Sequence, residues 1–494
     1  MTVYRCNVCN IFEYDPARGN TLTRVPPGTE PRDFPDTWLC PICQSDKTHL
    51  RPVVGQEPAA TARSSACPVC GASLARTLST LPDSFNGTYL AAWVRETDDT
   101  EDHMADIHTI AVTGESIIEP MRTKNRVISW DDILIKGAQI AKIPLNSDVP
   151  VNTRTVIGPG SEHPLVIDTP LFVTHMSFGA LSREVKIALA KGSAAVRTAI
   201  GSGEGGILLE ERQNAYRYIL EYVPNRYSIT QENLSAADAI EIKLGQSAEP
   251  GMGARLPAEK VTAEIATIRG YPEGSDIVSP AAYEDIRNRD ELKEKVRWLR
   301  EISGGKPIGV KIAAGDIEGD LAAIVYAAPD FITIDGRPGA TGAALKFIKA
   351  ATSVPTVFAL YRARKFLDDK GGTKISLIVT GGLRVSSDFA KALALGADAI
   401  AIGTAALMAC GCQQYRLCST GNCPVGVTTQ NPALRERLNP DLSAKRLENF
   451  LFVSTGELKD FARLTGNDDV HQLRITDLCT TNSEISGHTG IRHV

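Results

Sequence analysis

From about residue 165 onward, short apolar runs alternate with segments of helical period, and this predicts an α/β chain closed into a (β/α)8 TIM barrel. Three observations carry that expectation. The runs PLFVTHMSFG, AIEIKLGQ, KPIGVKIAAG, DFITIDG, KISLIVTGG and ADAIAIGTAA are continuously apolar, as strands buried on both faces are. Segments such as REVKIALAKGSAAV, EKVTAEIATIRG and SSDFAKALALG stand among them, which implies right-handed βαβ units. The strand ends carry Gly and polar residues, and no G-x-G-x-x-G follows the first strand; both favour a barrel over a doubly wound open sheet.

Composition bounds the function. The 494 residues are 43% hydrophobic and 22% charged, ordinary values for a globular protein. A net charge of −5 without a Lys/Arg-dense tract argues against nucleic acid as a partner. No stretch reaches the roughly 18 apolar residues of a membrane span. The start, MTVYRCNVCN, lacks the apolar core of a secretory signal, so a cytoplasmic location is expected. In that compartment, eleven cysteines point to metal or redox chemistry rather than structural disulfides.

The cysteines cluster. Cys6, Cys9, Cys40 and Cys43 form CNVC and CPIC, thirty residues apart. Each knuckle presents two thiolates, so the four suit one tetrahedral ion, zinc or iron. Cys67 and Cys70 (CPVCG) follow a linker-like stretch and are either half a metal site or two thiols. Residues 410–424, CGCQQYRLCSTGNCP, hold four more, open to reading as a zinc knuckle, a redox disulfide or an iron–sulfur ligand set. The expected domains are a metal-binding domain at 1–52, a linker with a C-x-x-C at 53–80, and the barrel at 81–494 carrying the 410–424 loop.

Chemistry is expected where barrel strands end. THMSFGALSRE (174–184) and GSGEGG (201–206) put small residues where a planar cofactor can lie on backbone, with Ser177 and Glu204 as polar contacts. Gly381 and Gly382, then Gly403 and Thr404, follow the last two strands, where TIM barrels bind phosphate through backbone N–H groups.

Two resemblances become specific on these residues. Residues 4–50, with a Tyr before the first knuckle, YDP, PPGT and a Trp ahead of the second pair, resemble rubredoxin, which implies a one-electron Fe(Cys)4 centre. Asn10 and Gln44 stand where rubredoxins usually have Gly, so a zinc ribbon remains the alternative. MSFGALS, GEGG, IEIKLGQSAEPG, GVKI, TGGLR and IGTAAL, followed by the cysteine loop, resemble the FMN-binding synthase domain of glutamate synthase, over roughly residues 110–485. That likeness implies FMN above the strand ends and a [3Fe–4S] cluster on Cys412, Cys418 and Cys423, which keep the family's C-x5-C-x4-C spacing. It further implies that Met176 and Ser177 pack on the flavin and that Glu204 sits in the polar wall. Lys311 would stand near the flavin N1/O2 edge, Gln231 would touch the ring, and Lys243 would meet an oxo-acid carboxylate.

The departures lie on the substrate side. Glu249 stands where the family loop AKPGEGG has Lys, and SPAAYEDI (279–286) lacks the two histidines of SPxxHHDI. Thr2 replaces the catalytic Cys of an N-terminal glutaminase, so ammonia or an amine must come from solution or from a partner. The reading is a glutamate synthase-type oxidoreductase that reduces 2-iminoglutarate, from 2-oxoglutarate and ammonia, to L-glutamate with electrons from the rubredoxin-like iron. The alternatives are a subunit acting on another amine or amino acid, as in methylamine–glutamate N-methyltransferase-like assemblies, and a non-catalytic electron-transfer protein. An oligomer, with an amidotransferase or reductase subunit as possible partner, is expected.

Overall fold

The computed structural model describes residues 3–7, 12–20, 23–41, 45–53, 98–372 and 374–494. The chain divides into two compact units, one of residues 1–7 and 11–117 and one of residues 8–10 and 118–494.

In the second unit eight parallel strands close on themselves: β1 (Leu171–Val173), β2 (Ala199–Gly201), β3 (Arg217–Tyr222), β4 (Ala239–Lys243), β5 (Ile308–Ala313), β6 (Phe331–Asp335), β7 (Ser376–Thr380) and β8 (Ala399–Ile402). Their order is β4-β5-β6-β7-β8-β1-β2-β3, with the last strand returning to the first, so the sheet is a TIM barrel and not an open one. The register sets charged residues side by side on neighbouring strands: Glu221 faces Glu241, Lys243 faces Lys311, and Lys311 faces Thr333.

The lower barrel is filled by side chains. Phe172, Ala199, Ile219, Ala239, Phe331 and Ile378 form one apolar cluster with Ile157, Leu165 and Ile167 of an antiparallel hairpin, Thr155–Ile157 with Leu165–Ile167. Most of these barrel residues lie at strand starts, so the hairpin plugs the N-terminal mouth and leaves the opposite end for chemistry. Helix α1 (Arg183–Ala195) follows β1; its N-cap Ser182 accepts from the Val185 N–H, and Val185, Ala188 and Leu189 are buried. The long helix α2 (Pro440–Leu464) packs on α1. Gly192 permits that approach, because a Cβ there would lie 2.8 Å from the Ala444 carbonyl oxygen.

The first unit contains a three-stranded antiparallel sheet in which Tyr4–Cys6 lies between Glu13–Tyr14 and Leu50–Pro52. Phe12, Tyr14, Phe34 and Trp38 form its aromatic core, with Tyr14 edge-on to Phe34 at 4.8 Å. Cys6 and Cys40 are buried beside that core. Cys9, Cys43, Cys67, Cys70 and nearly all of the 53–80 segment lie outside the described residues. Among the described residues no helix is long and apolar enough to cross a membrane.

Candidate active site

Loops after the barrel strands enclose one cavity at the C-terminal end. Met176 and Ser177 after β1, Lys311 on β5, Gly381 and Gly382 after β7, and Gly403 and Thr404 after β8 all line it. Cys418 of the sulfur-rich loop lines the same cavity, so that loop forms part of its wall. Lys311 is buried, and no hydrogen bond or ion pair to its ammonium is found among the described residues. Its charge is balanced from below by Glu221 and Glu241. Burial works to raise both carboxyls, yet their neighbours hold each below the usual range: Lys243, His175 and Lys311 around Glu221, and His175, Lys311 and the Thr333 hydroxyl around Glu241.

The loop carrying Met176 and Ser177 is tied down from beneath. Lys186 of α1 donates to the carbonyls of Met176 at 2.6 Å and Ser202 at 2.8 Å, and pairs with fully buried Glu211 at 2.6 Å. His175, between these strands, accepts from the Gly203 N–H at Nδ1 (3.3 Å) and places Nε2 3.1 Å from Glu241. His175, Glu221 and Glu241 cluster tightly enough to hold a metal ion, but Lys311 already supplies the positive charge.

Glu204 and Lys243 occupy a smaller adjoining pocket. The Lys243 ammonium lies 2.6 Å from Glu204 Oε2, and Ser279 donates to Glu204 Oε1. Lys243 is thus paired with Glu204 in the smaller pocket and is not among the residues that line the main cavity. Gln231 requires a correction. It is the first residue of a short helix, Gln231–Ala236, exposed and outside the cavity, because eight residues of loop follow Tyr222 before that helix starts.

Gln246 takes a place that the sequence reading missed. It lines both the main cavity and the smaller pocket, and its Nε2 donates to buried Glu249 at 2.9 Å. Burial pushes the Glu249 carboxyl upward, with Gln246 and Lys243 opposing. Tyr283, in the altered 279–286 stretch, stacks on Tyr222 at 5.9 Å and donates to the carbonyls of Tyr222 and Lys243. It braces the ends of β3 and β4. Arg384 was also missed: it lines the cavity beside Gly382 and is pushed down to about 10, by burial first and by Arg122 next to it.

In the sulfur loop, Cys418 and Cys423 are buried, Cys412 is half-buried, and none is in a disulfide. Burial raises the Cys412 thiol and pushes Cys418 up to about 11. Cys410 stands apart, pushed up to about 12 by burial, with Arg446 as its charged neighbour.

Comparison with known proteins decides the family. Residues 116–468 match the family described as the conserved region in glutamate synthase, and residues 3–50 match rubredoxin. The chain belongs to the glutamate synthase family. A glutamate synthase large subunit-like protein of Rhizobium meliloti is 37% identical over 401 residues, covering 77% of this chain and 91% of that protein. An archaeal glutamate synthase [NADPH] of Methanocaldococcus jannaschii is 36% identical over 404 residues, 76% of this chain and 79% of that one. Its counterpart in Archaeoglobus fulgidus is 36% identical over 408 residues, 78% of this chain and 79% of that one. Among solved structures, mandelate oxidase with (S)-2-phenylpropionate covers 71% of this chain and 86% of its own, at 17% identity and a TM-score of 0.45. This glutamate synthase-type chain is accordingly an oxidoreductase with a rubredoxin domain at its N-terminus.

Proposed function

We propose that the chain reduces 2-iminoglutarate, formed from 2-oxoglutarate and ammonia, to L-glutamate. The observation that carries the proposal is the sharing of one cavity by the strand-end loops and the cysteine loop, with Met176, Ser177, Lys311 and Cys418 in its walls. The cavity suits FMN. Gly381, Gly382, Gly403 and Thr404 would hold the phosphate with Arg384, Met176 and Ser177 would support the ring, and Lys311 would face its N1/O2 edge. FMN held there would supply a hydride to the imine carbon. Cys412, Cys418 and Cys423 would carry a [3Fe–4S] centre, and Cys6, Cys9, Cys40 and Cys43 a mononuclear iron, or zinc, of rubredoxin type. An iron there would pass electrons on one at a time.

The rest of the work falls to the protein. Lys311 offers its cation to charge that develops on the ring edge, at no cost in reorganisation because its position is fixed. The Glu204–Lys243 pair, closed by Ser279 and Tyr283, walls off the substrate side and excludes water. Small-molecule oxo acid and ammonia are the expected substrates. A cytoplasmic oligomer with an amidotransferase or reductase subunit remains the proposed setting.

One observation favours a second reading. Gln246 donates one Nε2 hydrogen to Glu249, which leaves its acceptor Oε1 and one N–H beside the Glu249 carboxylate; a lysine at 249, as in the family loop, would leave both amide N–H groups free for a carboxylate. An amine other than ammonia, drawn to the Glu249 carboxylate, is then favoured as the co-substrate of the oxo acid. Mixing anaerobically reduced protein with 2-oxoglutarate plus ammonium, and in parallel with 2-oxoglutarate plus methylamine, tests both. Flavin reoxidation with glutamate formation in the first mixture supports the main reading; reoxidation only in the second moves the assignment to the amine-specific one.

A further inference from the structure

Lys260 ends a short turn, Ala258–Lys260, and is 2% exposed. It lines the main cavity, and its ammonium donates to the Ala180 carbonyl at 2.7 Å and to the Cys418 carbonyl at 3.2 Å. It thus bolts the loop that carries Met176 and Ser177 to the loop that carries Cys418. The cysteine loop wraps its stem: a Cβ at Gly421 would sit 3.5 Å from Lys260 Cγ.

Its electrostatic surroundings set it apart. Other buried lysines have carboxylates at hand: Glu211 for Lys186 at 2.6 Å, Glu119 for Lys349 at 2.9 Å, Asp388 and Asp131 around Lys391, and Glu221 and Glu241 around Lys311. Lys260 forms no ion pair with a carboxylate among the described residues. Two carbonyl dipoles do not neutralise a buried ammonium, and such a charge is costly unless an anion stands nearby. The acidic groups beside it are the sulfurs of Cys418 and Cys423, and the other charge is the like-signed Arg269. Thiolates holding an iron–sulfur centre would supply the missing negative charge.

We infer that Lys260 is a positioning residue for the iron–sulfur centre proposed above: its fixed ammonium is the counter-charge of that centre and favours its reduced form. The inference rests on the cluster assignment to Cys412, Cys418 and Cys423, and the experiment separates the two. The full chain, purified anaerobically as wild type, Lys260→Gln and Lys260→Arg, is titrated electrochemically while the EPR signal of the oxidised three-iron centre is followed, with iron assayed in each. Glutamine keeps an N–H donor for the two carbonyls but removes the charge. The expected result is a centre at least tenfold harder to reduce in Lys260→Gln, about 59 mV more negative for one electron, with Lys260→Arg at the wild-type value. Iron lost from the Gln variant and kept in the Arg variant also supports the inference. An unchanged potential in Lys260→Gln at full iron content overturns it, as does equal iron loss from both variants, which marks a packing role. A wild-type protein without the three-iron signal overturns the cluster assignment itself.

Discussion

The Lys243 ammonium lies 2.6 Å from the Glu204 carboxylate, and both side chains are nearly buried where β4 ends beside the cavity. Burial works against the Lys243 charge, while Glu204 and Glu221 raise its pKa well above the ordinary lysine value. Breaking such a pair from one side strands a charge. Lys243→Met is expected to cost about 3–5 kcal/mol of stability, and the double variant with Glu204→Gln to recover part of it. Denaturant unfolding of the three proteins checks this.

Glu211 gives the fold a pH dependence. Burial pushes its carboxyl up to about 7 from 4.5, against the lowering effect of Lys186 and Tyr218. A carboxyl that titrates higher folded than unfolded stabilises the fold when protonated. Its contribution is fully present below pH 4.5 and is lost as pH rises through about 7. The unfolding midpoint of wild type, relative to Glu211→Gln, is therefore expected to fall across that window.

Gly381 adopts φ +103°, and a Cβ there would collide with the Gly336 carbonyl oxygen. Gly381→Ala strains the proposed phosphate turn by about 1–3 kcal/mol. The expected outcome is at least a tenfold loss of FMN affinity, read from the flavin-to-protein absorbance ratio, with the barrel still folded by circular dichroism.

Glu249→Lys reverses the charge that directs Gln246. The amide is expected to turn its N–H groups to the cavity and to lower the KM for 2-oxoglutarate at least tenfold, about 1.4 kcal/mol, with kcat changed less. Steady-state kinetics over oxo-acid concentration measure the ratio.

The sulfur loop separates ligands from bystander. Cys412→Ser is expected to abolish the three-iron EPR signal and leave the N-terminal metal in place. Cys410→Ser, which alters the thiol flanked by Arg446, is expected to keep all the iron. Iron assays of the two variants, set beside wild type, give the comparison.

The barrel was legible because parallel strands buried on both faces leave continuous apolar text, and six such runs contain β1 and β4–β8. β2 and β3, in AIGSG and RYILEY, are as apolar but were not singled out as strands. Glycines at Gly381 and Gly403 were visible because a turn after a strand is a local pattern. Gln231 was misplaced because nothing local shows how many residues a loop uses before its helix begins. The pairing of Lys243 was not visible because Glu204, its partner, is 39 residues away in sequence. Gln246, Arg384 and Lys260 acquire their roles only when loops from different strands meet, and that meeting leaves no periodic trace.

A flavin and two iron sites in a single chain are the central claim. Anaerobically purified protein, with FMN and iron quantified and its visible and EPR spectra recorded, gives the most direct test. The expected composition is one FMN and about four irons per chain, one in the rubredoxin domain and three on Cys412, Cys418 and Cys423. Protein that binds zinc without iron, or that carries no flavin, would contradict it.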